Sequence, residues 1–336
     1  MSTTTTEHDL PEVPRVILGR TGIVSSRFGI GSAVWPLRQP HEKVVEILRT
    51  AFAAGIRHVD TAPLYGSEEA IGRGLQDAGP PADMVLATKV CSYCDDLGIV
   101  YREYSAKTVY RSVERSLKRL KVDHFDIINI HDVEPENLED IGAKDGALAA
   151  LLDLKSQGII RSIGMATVSL ECHKWAIATG AIDHLQMYHT YTLLNTAAMN
   201  EVIASARAKN LSILNNAPYA GWILQYGATP DAMYNYRPAK PEVIEATRRL
   251  EAVCVAKGVT LAEAAVAFSF KSPHVDVTVI GASSPERVRE RVRVRVFASK
   301  LTEEDFSELR AAVGGSYPTI PSWPKNPMNS PRTDLL

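Results

Sequence analysis

The chain has little of what would place it in several large classes of protein. It carries four cysteines in 336 residues, too few for the disulfide framework of a small secreted domain. Cys91 and Cys94 form a C-x2-C, but no second pair stands at zinc-like spacing, and Cys172 and Cys254 are isolated. All four therefore read as reduced thiols, with no metal site. No apolar run approaches membrane-spanning length, and the opening residues are mostly Ser, Thr, Glu and His rather than a signal peptide. A cytoplasmic protein without a membrane partner is the expectation. A net charge of −2 offers no basic excess for nucleic acid. The run from Arg287 to Arg295 is basic, and it reads as one solvated helix face. No G-x-G-x-x-G follows a candidate strand, so the glycine fingerprint of a Rossmann site is missing.

What is present is apolar content of 45%, enough for a large core, in a length that suits one or two domains. Two short apolar runs around Gly19-Arg-Thr-Gly22 signal a hairpin. Eight strands are then expected at Ile30 to Ala33, Ile56 to Asp60, Met84 to Lys89, Phe125 to His131, Ile159 to Ala166, His184 to Tyr188, Leu211 to Asn216 and Val275 to Gly281. Helical spacing fills the intervals, for example Val109, Val113, Leu117 and Leu120 after a Ser105 cap. The alternation predicts one α/β domain over residues 13–315, with a loose segment at 1–12 and a Pro-rich irregular tail at 316–336. By itself it admits a (β/α)8 barrel or a doubly wound sheet.

The densest stretch runs from Gly55 to Leu75. It reads as a buried strand, a polar turn and a helix opening at Ser67, with Ser67 as cap and Glu68 and Glu69 near the positive end of the helix dipole. Asp60 lies at the end of that strand and Tyr65 in the loop after it; Lys89 and His131 close the next two strands. Singly, Lys89 reads as a snorkelling surface lysine and His131 as a satisfied core histidine. Together they converge on the end of the sheet where α/β proteins place chemistry. A phenol titrates near pH 10, and a nearby ammonium favours its phenolate. Asp60 would hold Lys89 charged, His131 would donate to a substrate oxygen, and Tyr65 would carry the proton.

The core Gly55-x-Arg57-His58-x-Asp60-Thr61-Ala62-x-x-Tyr65-Gly66-x-Glu68 resembles, residue for residue, the first signature of the aldo-keto reductase superfamily. The resemblance implies a (β/α)8 TIM barrel with an N-terminal β-hairpin plug and a C-terminal extension. It makes Asp60, Tyr65, Lys89 and His131 a catalytic tetrad for hydride exchange with NAD or NADP. It also implies that Gln186 meets the nicotinamide carboxamide, with Ala166 and Thr167 where Ser-Asn is common and Asn216 where a stacking tyrosine is common. Ala217, Pro218, Tyr219 and Gly221 match the pyrophosphate loop. Gly281, Ser283, Arg287, Glu290 and Arg291 fall in the adenosine-phosphate signature, with Arg287 on the 2′-phosphate side and Glu290 at the adenine. A lysine often stands at the position of Gly281; its absence favours NAD over NADP. Of the basic run, only the first arginine would then face the cofactor.

Asp126 to Glu134 and Leu154 to Gly164 are most similar to the L-galactose and L-fucose (D-threo-aldose) dehydrogenase branch, which implies oxidation of an aldose at C1 to the lactone. An NADPH-dependent aldehyde or ketone reductase and a non-catalytic cofactor-sensing subunit are the alternatives. Trp35, Tyr93, Trp222 and Trp323 are candidate walls for a small-molecule substrate, with simple packing the other reading of Trp35.

Overall fold

The computed structural model describes residues 13–35, 39–94, 100–298, 300–315 and 317. Eight parallel strands close into a barrel: β1 (Phe28–Gly31), β2 (His58–Asp60), β3 (Val85–Val90), β4 (Phe125–His131), β5 (Ile160–Thr167), β6 (His184–Tyr188), β7 (Ser212–Asn216) and β8 (Val277–Gly281). Helices α1 (His41–Ala53), α2 (Glu68–Ala78), α3 (Ala106–Leu120), α4 (Ala147–Ser156), α5 (Leu170–Thr179), α6 (Ala204–Ala208), α7 (Leu261–Lys271) and α8 (Pro285–Ala298) alternate with them. Further helices span Pro241–Ala256 and Glu303–Val313. The barrel is the first of the two expected folds, and the hairpin plug is present. No single helix among the described residues is long and apolar enough to cross a membrane.

Strand β4 shows why the sheet is so legible. All of Phe125–His131 is buried, so neither face needs polar relief, and an isoleucine-rich run fits both. Side chains alternate across each strand. On the inward face of β3 and β4 the lower residues Val85, Ala87 and Ile127 join Leu214, Val277 and Val279 in one apolar cluster. Further along these same faces come Lys89, two residues after Ala87, and His131, four residues after Ile127. Period two thus carries both strands from an apolar floor to a polar mouth.

The floor is closed by the hairpin. Arg15–Ile17 pairs antiparallel with Val24–Ser26, and Leu18 and Ile23 at its tip are 0% and 1% exposed inside the floor cluster. Each such buried side chain contributes about 1.5–3 kcal/mol. Above them the interior turns polar with His58, Asn129 and His184, all buried. Burial pushes both His58 and His184 down to about 4, so they are neutral. Gly164 makes room for this layer, since a Cβ there would lie 2.1 Å from both Asn129 Oδ1 and His184 Nε2.

Several local expectations are corrected. The first strand begins at Phe28, not Ile30. Ser67 makes no capping bond; its hydroxyl instead donates to Ser32 Oγ at 2.8 Å and meets Thr61 Oγ1 at 3.1 Å, tying the ends of β1 and β2 to α2. Glu68, in the first turn of α2 as expected, is 1% exposed. Thr88 Oγ1 donates to it at 2.8 Å and Arg119 Nη1 approaches at 3.5 Å. Ser105 does cap α3, accepting from Thr108 N at 3.3 Å. Two short hairpins, Ser92–Cys94 with Val100–Arg102 and Met233–Tyr234 with Arg237–Pro238, were not foreseen. The four cysteines are free thiols. Residues 1–12 and the tail, apart from Tyr317, lie outside the described residues.

Candidate active site

The ends of β2, β3 and β4 bring Asp60, Lys89 and His131 to one inward patch, and a 3-10 turn at Pro63–Tyr65 swings Tyr65 over it. Lys89 is 1% exposed. A buried ammonium requires partners, and it has two: Asp60 Oδ1 at 2.7 Å and the carbonyl of Thr61 at 2.8 Å. Its Nζ lies 4.9 Å from the centre of the Tyr65 ring. The His131 ring meets Tyr65 edge-on, with centroids 5.8 Å apart at 88°. Burial above all pushes His131 down to about 4. The imidazole is therefore neutral at neutral pH and can donate one hydrogen bond without carrying charge.

Gln186, two residues from the end of β6, donates from Nε2 to Asp60 Oδ2 at 2.8 Å. Its Oε1 is buried and has no hydrogen-bond partner, so the oxygen is what remains for an amide N–H. Ala166 brings no polar group. Thr167 spends its hydroxyl internally, donating to Val133 O at 2.7 Å and accepting from Ser169 N at 2.9 Å. Asn216 Oδ1 is buried and unpartnered. The loop after β7 is unusual in its backbone: Ala217, Ala220, Gly221 and Trp222 all have positive φ, at 53°, 54°, 73° and 87°.

In that loop Tyr219 is buried, its hydroxyl has no partner, and the Arg291 guanidinium lies 4.7 Å over its ring. Arg291 is 4% exposed with Nε unpartnered, so the basic run is not solvated throughout as its sequence suggested. The helix buries one arginine against the loop and leaves Arg287 half-exposed. Glu290 binds both, accepting from Arg287 Nη1 at 2.8 Å and Arg291 Nη1 at 3.2 Å. At Gly281 a Cβ would meet Val34 Cγ2 at 2.7 Å. The Ser283 carbonyl accepts from Gln39 Nε2 at 2.9 Å. Buried polar atoms without partners are uncommon in native proteins, and those of Gln186, Asn216, Tyr219 and Arg291 fall on the strands, loop and helix where a nicotinamide dinucleotide was expected. The residues present fit such a group.

The aromatic candidates separate. Trp35 packs: it is 5% exposed and its Nε1 donates to Ala282 O at 2.7 Å. Tyr93 stacks on Tyr101, centroids 5.3 Å apart, and shares a groove with Pro63 and with Arg111 and Arg115 of α3. Trp222 meets Tyr236 edge-on at 5.7 Å. Trp323 lies outside the described residues. Sequence reading missed Asp132, Arg102, Tyr188 and Tyr236. Tyr188 OH donates to Asp132 Oδ1 at 3.0 Å. Tyr236 meets His189 and Trp222 edge-on, and burial first, then Tyr65 and Asp132, raise its phenol. Period two from Gln186 was a signal for Tyr188; Tyr236 sits in a loop and left none.

A family model described as "Aldo/keto reductase family" matches residues 27–313. L-galactose dehydrogenase of Arabidopsis thaliana is 29% identical over 308 residues, covering 88% of this chain and 92% of that protein. D-threo-aldose 1-dehydrogenase of Pseudomonas sp is 26% identical over 268 residues, covering 73% and 80%. Among solved structures, aldo-keto reductase AKR11C1 from Bacillus halodurans, in its holo form, superposes with a TM-score of 0.75 at 23% identity, covering 91% of this chain and 98% of that one; this supports the fold.

Proposed function

This chain belongs to the aldo/keto reductase family, and from that premise we propose that it oxidises an aldose or related alcohol, an aldose at C1 to the lactone, with NAD as hydride acceptor. It is an oxidoreductase that uses NAD(P). The observation that carries the finer reading is the buried Lys89 ammonium, fixed by Asp60 Oδ1 at 2.7 Å and Thr61 O at 2.8 Å beneath the Tyr65 ring.

An ammonium held there favours the phenolate form of Tyr65. Tyr65 then takes the hydroxyl proton of the substrate as general base while neutral His131 donates to the same oxygen and fixes its direction. Asp60 holds Lys89 in place through the ion pair at 2.7 Å. The nicotinamide, when bound, supplies the acceptor for the hydride leaving the substrate carbon. Gln186 would receive the carboxamide on its open Oε1, the 217–221 loop would follow the pyrophosphate, and Arg291, Tyr219 and Glu290 would meet the adenosine end.

Two features support NAD. The lysine that would partner a 2′-phosphate is missing at Gly281, where Val34 already crowds the Cβ position. Glu290 also places a carboxylate on both nearby arginines, so a phosphate would have to displace it. The direction and the aldose draw support from the two dehydrogenases that the chain resembles.

The experiment is an initial-rate comparison of NAD with NADP on L-galactose, L-fucose, D-arabinose, pyridoxal and simple secondary alcohols. NAD reduction by at least one aldose is expected. Flat oxidations together with NADPH consumption by aldehydes would replace this reading with that of a general reductase.

A further inference from the structure

Asp132 follows His131 and stands outside the tetrad. Its backbone is left-handed, at φ 52°, although it is not glycine. Its carboxylate is buried, and three side chains surround it. Tyr188 OH donates to Oδ1 at 3.0 Å, Arg102 Nη2 lies 3.4 Å from Oδ2, and His131 Nε2 lies 3.4 Å from Oδ1. The main chain is held as well: Asp132 N donates to Ala166 O at 2.9 Å, and Tyr104 OH donates to Asp132 O at 2.8 Å. Burial opposes ionisation of this carboxyl, yet His131, Arg102 and Tyr188 together hold its pKa below the ordinary value. A buried anion on a strained backbone persists only where its surroundings over-determine it, and such positions cluster at functional sites.

A neutral imidazole has one N–H, and the partner of each nitrogen decides which one carries it. Here Nδ1 is buried with no hydrogen-bond partner, whereas Nε2 faces the Asp132 carboxylate. The 3.4 Å separation is longer than a formed N–H···O bond. The carboxylate thus draws the proton to Nε2 without consuming it.

We propose that Asp132 is a positioning residue that holds His131 as the Nε2–H tautomer, with that hydrogen kept available for the substrate oxygen. Arg102 and Tyr188 orient the carboxylate. This rests on reading His131 as the donor to the substrate oxygen.

The test is Asp132→Asn, which tolerates a left-handed backbone and keeps the side-chain shape but removes the charge. The tautomer is read by 15N NMR, the His131 signals being those absent from His131→Gln. Wild type should show Nε2–H, and Asp132→Asn should shift towards Nδ1–H. Its kcat should fall on the order of 100-fold, with the cofactor Kd unchanged. An unchanged tautomer or an unchanged kcat overturns the proposal. Asp132→Gly relieves the backbone and should lose turnover equally; full turnover in that variant overturns it too. Loss of cooperative melting in both variants would assign Asp132 to folding, which also contradicts the proposal. If His131→Gln keeps full turnover, the tetrad reading fails instead.

Discussion

The floor and the mouth of this barrel share its eight strands, with the hairpin tip added at the floor, and obey opposite rules. At the floor, Leu18, Ile23, Val85, Ala87, Ile127, Leu214, Val277 and Val279 bury only apolar surface. At the mouth, a lysine and an aspartate are buried as an ion pair at 2.7 Å. The residue directly after β3, β4, β6 and β7 is left-handed and not glycine in every case: Cys91, Asp132, His189 and Ala217. Each such residue costs of order 1–3 kcal/mol. Of the left-handed non-glycine residues among those described, all but Lys121 and Asn210 belong to these strand ends or to the loops that follow them. The difference teaches that the chain closes one end of the barrel with apolar packing and gathers its backbone strain at the other, where chemistry needs it.

That contrast can be broken in graded steps. Leu18→Ala at the floor should lower stability by about 2–5 kcal/mol and leave kcat untouched, as denaturant melts and steady-state rates would show. A large loss of kcat would mean that floor and mouth are mechanically coupled.

Glu68, buried at the start of α2, comes next. Burial raises its pKa above that of an ordinary glutamate, against the pull of Thr88, Ser116 and Arg119. The sign follows: the folded state favours the protonated acid, so stability is fully present below the ordinary glutamate range and is lost as pH rises through the raised value. Glu68→Gln keeps an acceptor for Thr88 and removes that loss. Its advantage over wild type should grow from pH 4 towards pH 8, reaching about 1 kcal/mol, in melts across that range. A constant difference would mean that Glu68 does not titrate on folding.

Ala217→Gly should give the smallest change. Removing the Cβ at φ 53° relieves left-handed strain, partly offset by the greater chain entropy of glycine, so stability should rise by about 0.5 kcal/mol, with the cofactor Kd by fluorescence titration equal or slightly weaker. A fall in stability would remove strain from the description of the mouth.

Much of the barrel was legible in the sequence because burial on two faces leaves long apolar runs. The ranges of β4 and β6 were read to the residue, and the floor hairpin from its Gly19 to Gly22 turn. What escaped depended on tertiary competition. Ser67 carries a helix-capping signature, but Ser32 and Thr61 reach its hydroxyl first. Arg291 looks solvated within a basic run until the Tyr219 ring arrives from a loop some seventy residues earlier. Asp132 was adjacent to His131 all along, yet only its left-handed backbone and its buried partners distinguish it from an ordinary loop acid.

The account turns on Tyr65 as the proton carrier at the mouth, and single-turnover hydride transfer in Tyr65→Phe, with the cofactor Kd measured alongside, tests it most directly. The prediction is an unchanged Kd with transfer slowed about 1000-fold or more. Transfer at the wild-type rate, with cofactor bound normally, would contradict it.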